Sequence, residues 1–551
     1  MNSNYMKRIA TILLLFTVTF CAKGGEIIVG EGESIHHALR LAREWRRIND
    51  PRCDGGITIT IKGRHYMQEP LLLRPEDSGT KESPLVIRGS RQSVICGDAR
   101  RRHIQLWPKE GMERMISFST THRTITIPTP PKSVLDSLKS HLSPLTSHLS
   151  LLTSRLSPLE MVVHQRWAIA ILRVKDIAVN GDSCSISFLE PESRLEFEHP
   201  WPQPVIGGER GNSSFLLRTT ELRDGIEQLI VIDGASHVRF EGITIEKTSW
   251  NRPLHKGHVT LQGGFPLLDA YKLAVPGLPW DKELENQAWI ERPVSAVSVS
   301  NAHHVDFCSV AFQNLAATAL DFVDNISDCR VEGCTFADIG GTAIMGGSFA
   351  ENPREVHRPY TDLAKRCQRL TFDGNFITDA ANEDWGAVAI ALGYVSHCTI
   401  SRNIVNNVNY SGICVGWGWT PHDTGMEQNR ISGNTVKGYA RQLYDAGGIY
   451  TLSYQPGSVI SDNLISQPHP APYATNDRAF CIYLDARTDG FTIENNRTTD
   501  ADDVDAADAA ARAADASAVS RAAGGLHAST RPIRREEIGD NHPGPNIIFK
   551  Q

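Results

Sequence analysis

The feature that most narrows the fold is a tetrad recurring through the second half of the chain: a β-branched or aromatic residue, two polar or small residues, then Asn. It reads Phe372-Asp373-Gly374-Asn375, Ile400-Ser401-Arg402-Asn403, Ile431-Ser432-Gly433-Asn434, Ile460-Ser461-Asp462-Asn463 and Ile493-Glu494-Asn495-Asn496. Successive asparagines lie 28, 31, 29 and 33 residues apart, which is the spacing of coils in a solenoid. Phe240-Glu241-Gly242-Ile243, Phe307-Cys308-Ser309-Val310 and Val331-Glu332-Gly333-Cys334 keep the register without the Asn. Stacked coils place the Phe/Val/Ile residues in one inward ladder. Asn at a turn tolerates left-handed backbone angles, and stacked Asn side chains hydrogen-bond along the solenoid axis. The expectation is an all-β chain, a right-handed parallel β-helix, with the five asparagines in one turn column.

The rest of the chain is organised around that solenoid. Residues 1–24 read as an export signal: Lys7 and Arg8 precede an apolar run too short to span a bilayer, and small residues follow at Ala22 and Gly24. The location expected is periplasmic, cell-surface or secreted. Cys21 is a candidate lipid-anchor site, although the bulky Phe20 before it argues against one. Residues 25–103 read as a cap and first coils, with Ser34 capping a helix whose apolar face is Ile35, Ala38, Leu39, Ala42 and Trp45. A helix there closes the open end of the core. Residues 104–225 lose the coil pattern and read as an inserted β-domain, with antiparallel strands over 162–174 and 186–197. Within it, residues 140–160 repeat as SHLSPLT, SHLSLLT, SRLSPLE, and 139–158 read as a low-complexity surface loop. Residues 226–497 form the main β-helix, and the Ala/Asp-rich stretch within 498–551 reads as poorly ordered.

Composition excludes several partners. A formal net charge of −7 with no dense Lys/Arg stripe argues against nucleic acid. No later stretch approaches about 20 apolar residues, so no membrane span is expected. The cysteines form no CxxC pair and no Cys/His spacing suited to zinc, so neither a metal nor a cofactor is expected. A monomer is expected.

Aligning Ile390, Ile413, Ile449 and Ile482 as a second inward column places four later strands side by side in one sheet. The residues near their ends then gather in space: Asp384, Trp417, Trp419, His422, Asp423, Glu427, Asp445, Tyr450, Tyr454, Gln455, Tyr483 and Asp485. Aromatic rings stack on the C–H faces of sugars while carboxylates handle hydroxyls and protons, so the set suits an oligo- or polysaccharide. His164 and Trp167 in the insertion, with His255 and His258 before Gln262-Gly263-Gly264, are further candidates to line a cleft.

Asp445-Ala446-Gly447-Gly448-Ile449-Tyr450-Thr451-Leu452, then Gln455-Pro456-Gly457 and Ile482-Tyr483-Leu484-Asp485, with Gly416-Trp417-Gly418-Trp419 upstream, resemble glycoside hydrolase family 141. The resemblance implies a β-helix enzyme that is an α-L-fucosidase or xylanase acting on plant or host glycans, with Asp445 and Asp485 as its catalytic pair. Trp417, Trp419, His422, Tyr450, Tyr454, Gln455, Tyr483, Asp384, Asp423 and Glu427 are the substrate-binding candidates. On straight strands Asp445 and Asp485 would lie far apart, so a sharp turn is expected at Ala446-Gly447-Gly448. Two alternatives stand beside the hydrolase: a polysaccharide lyase on the same scaffold, for which Arg441 and Arg487 are candidate bases, and a non-catalytic glycan-binding β-helix.

Overall fold

The computed structural model describes residues 24–142, 159–198, 213–223, 225–270, 288–351, 353–355, 365–468, 478–499, 530–541 and 543–550. The export signal, Cys21, nearly all of the low-complexity loop and the Ala/Asp-rich stretch lie outside the described residues.

Each coil contributes one strand to each of three long parallel sheets, so the chain forms a parallel β-helix. Among the described residues these sheets have 12, 10 and 11 strands, and a short fourth has four. The inward ladder of the first sheet runs Phe240, Phe307, Val331, Phe372, Ile400, Ile431, Ile460 and Ile493 in strict register. All of these residues are buried. The second sheet aligns Ile390, Ile413, Ile449 and Ile482 as expected and continues to Ile538. Part of the 498–551 segment is therefore ordered: Ile538–Asp540 and Ile548–Lys550 pair as a last turn on the second and first sheets.

The asparagine column is present, and of the two devices the sequence suggests it uses the side-chain ladder and not the left-handed turn. Asn375, Asn403, Asn434, Asn463 and Asn496 are buried, and each Oδ1 from Asn403 onward accepts from both the backbone N–H and the Nδ2 of the preceding asparagine, at 2.9–3.1 Å. The left-handed angle falls one residue earlier, on Gly374, Arg402, Gly433, Asp462 and Asn495. Asn is there for the ladder, and its neighbour makes the turn.

The N-terminal helix Ile35–Arg47 buries Ile35, Ala38, Leu39, Ala42 and Trp45, with the Ser34 hydroxyl accepting from the His37 N–H. The insertion is an antiparallel sheet running from Arg100–Trp107 to Ser214–Arg223. One expected strand there is half helix: Ser183–Phe188 is extended, but Glu192–Glu198 is helical. Pro191 begins that turn, where its missing N–H costs nothing, and Leu195 and Phe197 pack inward. A second excursion leaves the helix between Glu246 and Ser295 and carries strands Thr260–Leu261 and Phe265–Ala270.

The insertion docks on the β-helix near the carboxylates. Ile171 and His258 exchange backbone hydrogen bonds, His164 Nε2 meets the Gln442 carbonyl at 2.5 Å, and the Tyr444 N–H donates to the Arg166 carbonyl.

Candidate active site

Asp445 opens strand Ala446–Thr451 and Asp485 follows strand Ala479–Leu484. These strands run in unbroken register, Ala446 beside Ala479 and Tyr450 beside Tyr483. The sharp turn expected at Ala446-Gly447-Gly448 is absent. The left-handed residue is Asp445 itself, at φ 63°. The two glycines serve close approach instead: a Cβ on Gly447 would lie 2.6 Å from the Ile449 carbonyl oxygen, and one on Gly448 2.4 Å from an Ile465 methyl.

Two tyrosines crossing between neighbouring strands bridge the remaining offset. Tyr483 Oη donates to Asp445 Oδ1 at 2.9 Å, reaching back to the previous coil. Tyr450 Oη donates to Asp485 Oδ2, reaching forward to the next. Their rings meet edge to face, centroids 5.2 Å apart. Gln262, on the second excursion, donates to both Tyr450 Oη (3.1 Å) and Tyr410 Oη (2.7 Å), and Tyr410 donates to the Asp445 carbonyl. Arg166, from the insertion, places Nε 3.4 Å from Asp445 Oδ2. Asn541, from the last turn, donates to Asp485 Oδ1 at 2.7 Å.

Burial raises both carboxyls of the pair. Burial, then the neighbouring Asp485 charge, push the Asp445 carboxyl up to about 6, against the opposing pull of Arg166 and the Tyr483 hydroxyl. Burial also raises Asp485, opposed by donors from Tyr450, Asn541 and the Ala486 backbone, which favour its ionised form. Two like charges in one low-dielectric site resist ionising together.

The other candidates separate by place. Trp417 is buried against Phe265, Phe349 and Trp419, with centroids 4.8–5.2 Å apart. Trp419 is partly exposed and packs on the Tyr450–Tyr483 cluster. Gln455 is fully buried; its amide donates to the Val415 and Leu452 carbonyls and accepts from Asn429, so it holds the scaffold rather than a sugar. Tyr454 is half-buried beside it. His422 and Asp423 lie on an exposed turn, where Asp423 accepts from the Gly425 N–H. Glu427 sits 3.7 Å from Arg366 on the outer surface. Asp384 is apart from the pair, its carboxylate accepting from the Gly386 N–H and meeting His258 Nε2 at 2.9 Å. That dyad lines a cavity of about 260 Å³ with Trp250, Arg252, His255 and Glu291. Gly263, next to Gln262, borders both this cavity and the small apolar recess under Tyr410, Trp417 and Tyr450.

Sequence reasoning missed Arg166, Gln262, Tyr410 and Asn541. Only Tyr410 carried a usable signal: aligning Ile413 with Ile449 sets it beside Ala446, next to Asp445.

Residues 87–225 match the family described as GH141 insertion domain, and residues 363–520 match right handed beta helix region. A solved structure titled glycoside hydrolase is 30% identical, covers 96% of this chain and 96% of its own, and superposes with a TM-score of 0.79. More distant are DFA-IIIase from Arthrobacter chlorophenolicus A6 (10% identity, 93% and 91% covered, TM-score 0.36) and XylC with xylose (9%, 86% and 75%, 0.34). No curated protein matches the chain.

Proposed function

The chain belongs to glycoside hydrolase family 141, and on that premise we propose that Asp445 and Asp485 cleave the glycosidic bond, Asp445 as general acid and Asp485 as the carboxylate that attacks or activates water. Family membership favours the hydrolase over the lyase and the non-catalytic module. The observation that carries the assignment is the coupled, buried pair held by crossed tyrosines. A carboxyl raised to about 6 keeps its proton near neutral pH and can protonate a leaving oxygen. Donors from Tyr450, Asn541 and the Ala486 backbone oppose the effect of burial on Asp485 and hold its carboxylate in place for the second role. The partly exposed Trp419 would stack on a sugar face.

The substrate class proposed is a plant or host glycan, with α-L-fucoside or xylan linkages the first to assay. The cavity beside Asp384 and His258 would seat further sugar units of a longer substrate. An exported enzyme, as residues 1–24 suggest, would meet such polymers outside the cytoplasm. Release of reducing sugar from fucosylated glycans or xylan tests this; no turnover on any glycan from either class would remove the proposal.

The pH profile gives a sharper check. Activity should be bell-shaped, falling at low pH as Asp485 takes a proton and above about pH 6 as Asp445 loses its own. Tyr483 donates to Asp445 and so favours its ionised form. Tyr483→Phe should therefore move the alkaline limb to higher pH. An unmoved alkaline limb would detach Asp445 from the acid role.

A further inference from the structure

We propose that His237, His303 and His304 form a binding site for a borderline divalent metal ion of the Zn²⁺ class. One nitrogen from each ring lies within 4.8 Å of the others. His303 Nδ1 and His304 Nδ1 are already 2.9 Å apart, and the His237 and His304 rings stack at 4.5 Å. An ion at about 2.0–2.1 Å from each nitrogen needs ligand atoms roughly 3.4 Å apart, so small side-chain rotations complete the site.

The β-helix builds the arrangement. Val238 and Val305 are in register, which stacks His237 on His304 one coil on. Their backbones are tied: the His237 N–H donates to the His303 carbonyl, the Val238 N–H to the His304 carbonyl, and the His303 N–H to Ser236 Oγ, each at 3.1 Å. His237 and His304 both hold left-handed angles, at φ 54° and 55°, which turns their side chains out of the coil. A scaffold fixed in this way spends little entropy on ordering ligands.

The donor chemistry selects the ion. Three imidazoles suit Zn²⁺, Ni²⁺ or Cu²⁺ and are poor ligands for Ca²⁺ or Mg²⁺, which prefer oxygen. The next residue of the column, Asp328, is engaged by Arg369 at 2.7 and 2.8 Å, leaving a further position for water or the exposed Glu82.

Six strand steps of the second sheet separate Ser295–Ser300, just before this cluster, from Ala479–Leu484, just before Asp485. At 4.8 Å per step that is about 29 Å, so the ion takes no part in hydrolysis. It would instead clamp two successive coils at the corner where strands of the second sheet pass into the first. Spacing alone hid the site, because its ligands come from different coils.

Calorimetric titration of tag-free protein with ZnCl₂ is the test, with CaCl₂ as control. One Zn²⁺ per chain should bind with a low-micromolar or tighter Kd, raise Tm, and have no Ca²⁺ counterpart. His237→Asn and His304→Asn keep a residue that accepts left-handed angles while removing an imidazole. Each should weaken Zn²⁺ at least about tenfold, with the circular dichroism spectrum and any glycan hydrolysis unchanged. Absence of stoichiometric Zn²⁺, Ni²⁺ or Cu²⁺ binding would overturn the proposal, and so would binding that both variants retain.

Discussion

Asp445→Asn and Asp485→Asn are each expected to lower kcat by at least about 10²–10⁴-fold on a natural glycan, the range that positioned acid–base groups supply. Asn keeps the shape but holds neither a transferable proton nor a charge. The two variants should differ in one respect that separates their roles. A nitrophenyl leaving group departs without protonation, so Asp445→Asn should recover much of its activity on a nitrophenyl glycoside while Asp485→Asn should not. The reverse pattern would exchange the roles, and full activity in both would move the chemistry elsewhere.

Stability should respond in the opposite direction to activity. The folded pKa of Asp445, about 6, lies above its ordinary 3.8, so the folded chain binds the extra proton between those values. Its contribution is therefore fully present below about pH 4 and lost as pH rises through about 6, leaving the ionised carboxylate destabilising above that by at most about 3 kcal/mol. Asp445→Asn should raise Tm more at pH 8 than at pH 4.5, measured by calorimetry.

The second large effect is structural. Asn434→Val should cost about 2–5 kcal/mol, because the Asn403 N–H and Nδ2 lose their acceptor and the Ile400 carbonyl loses its donor, all in the buried interior. Gly433→Asn should cost little, since Gly433 carries the left-handed angle, a Cβ there would meet only the Arg402 side chain at an ordinary 3.8 Å, and Asn495 holds the same position two coils later. Chemical denaturation of both variants separates the two accounts. If Gly433→Asn were the more damaging change, the turn rather than the ladder would be the source of stability.

These particulars show what the sequence carried. The inward columns were legible because parallel coils stack residue on residue, so periodic Phe240 through Ile493 could be aligned without coordinates. The face of the Ile35–Arg47 helix was legible for the same reason of periodicity. The turn was misassigned because a ladder Asn and a left-handed Asn look alike in a string of letters. The catalytic candidates Asp445 and Asp485 were found through motifs. What joins them, two tyrosines crossing between neighbouring coils, depends on side-chain reach that spacing does not encode. Arg166, Gln262 and Asn541 come from an insertion, an excursion and the last turn, none of which shares the repeat, so no periodicity pointed to them.

The most direct measurement is a crystal structure of Asp485→Asn with a bound oligosaccharide substrate. The scissile glycosidic oxygen should lie within about 2.6–3.2 Å of an Asp445 carboxyl oxygen, with residue 485 facing the anomeric carbon. A glycan seated wholly in the cavity beside His258 and Asp384, with its scissile bond beyond reach of both 445 and 485, would contradict it.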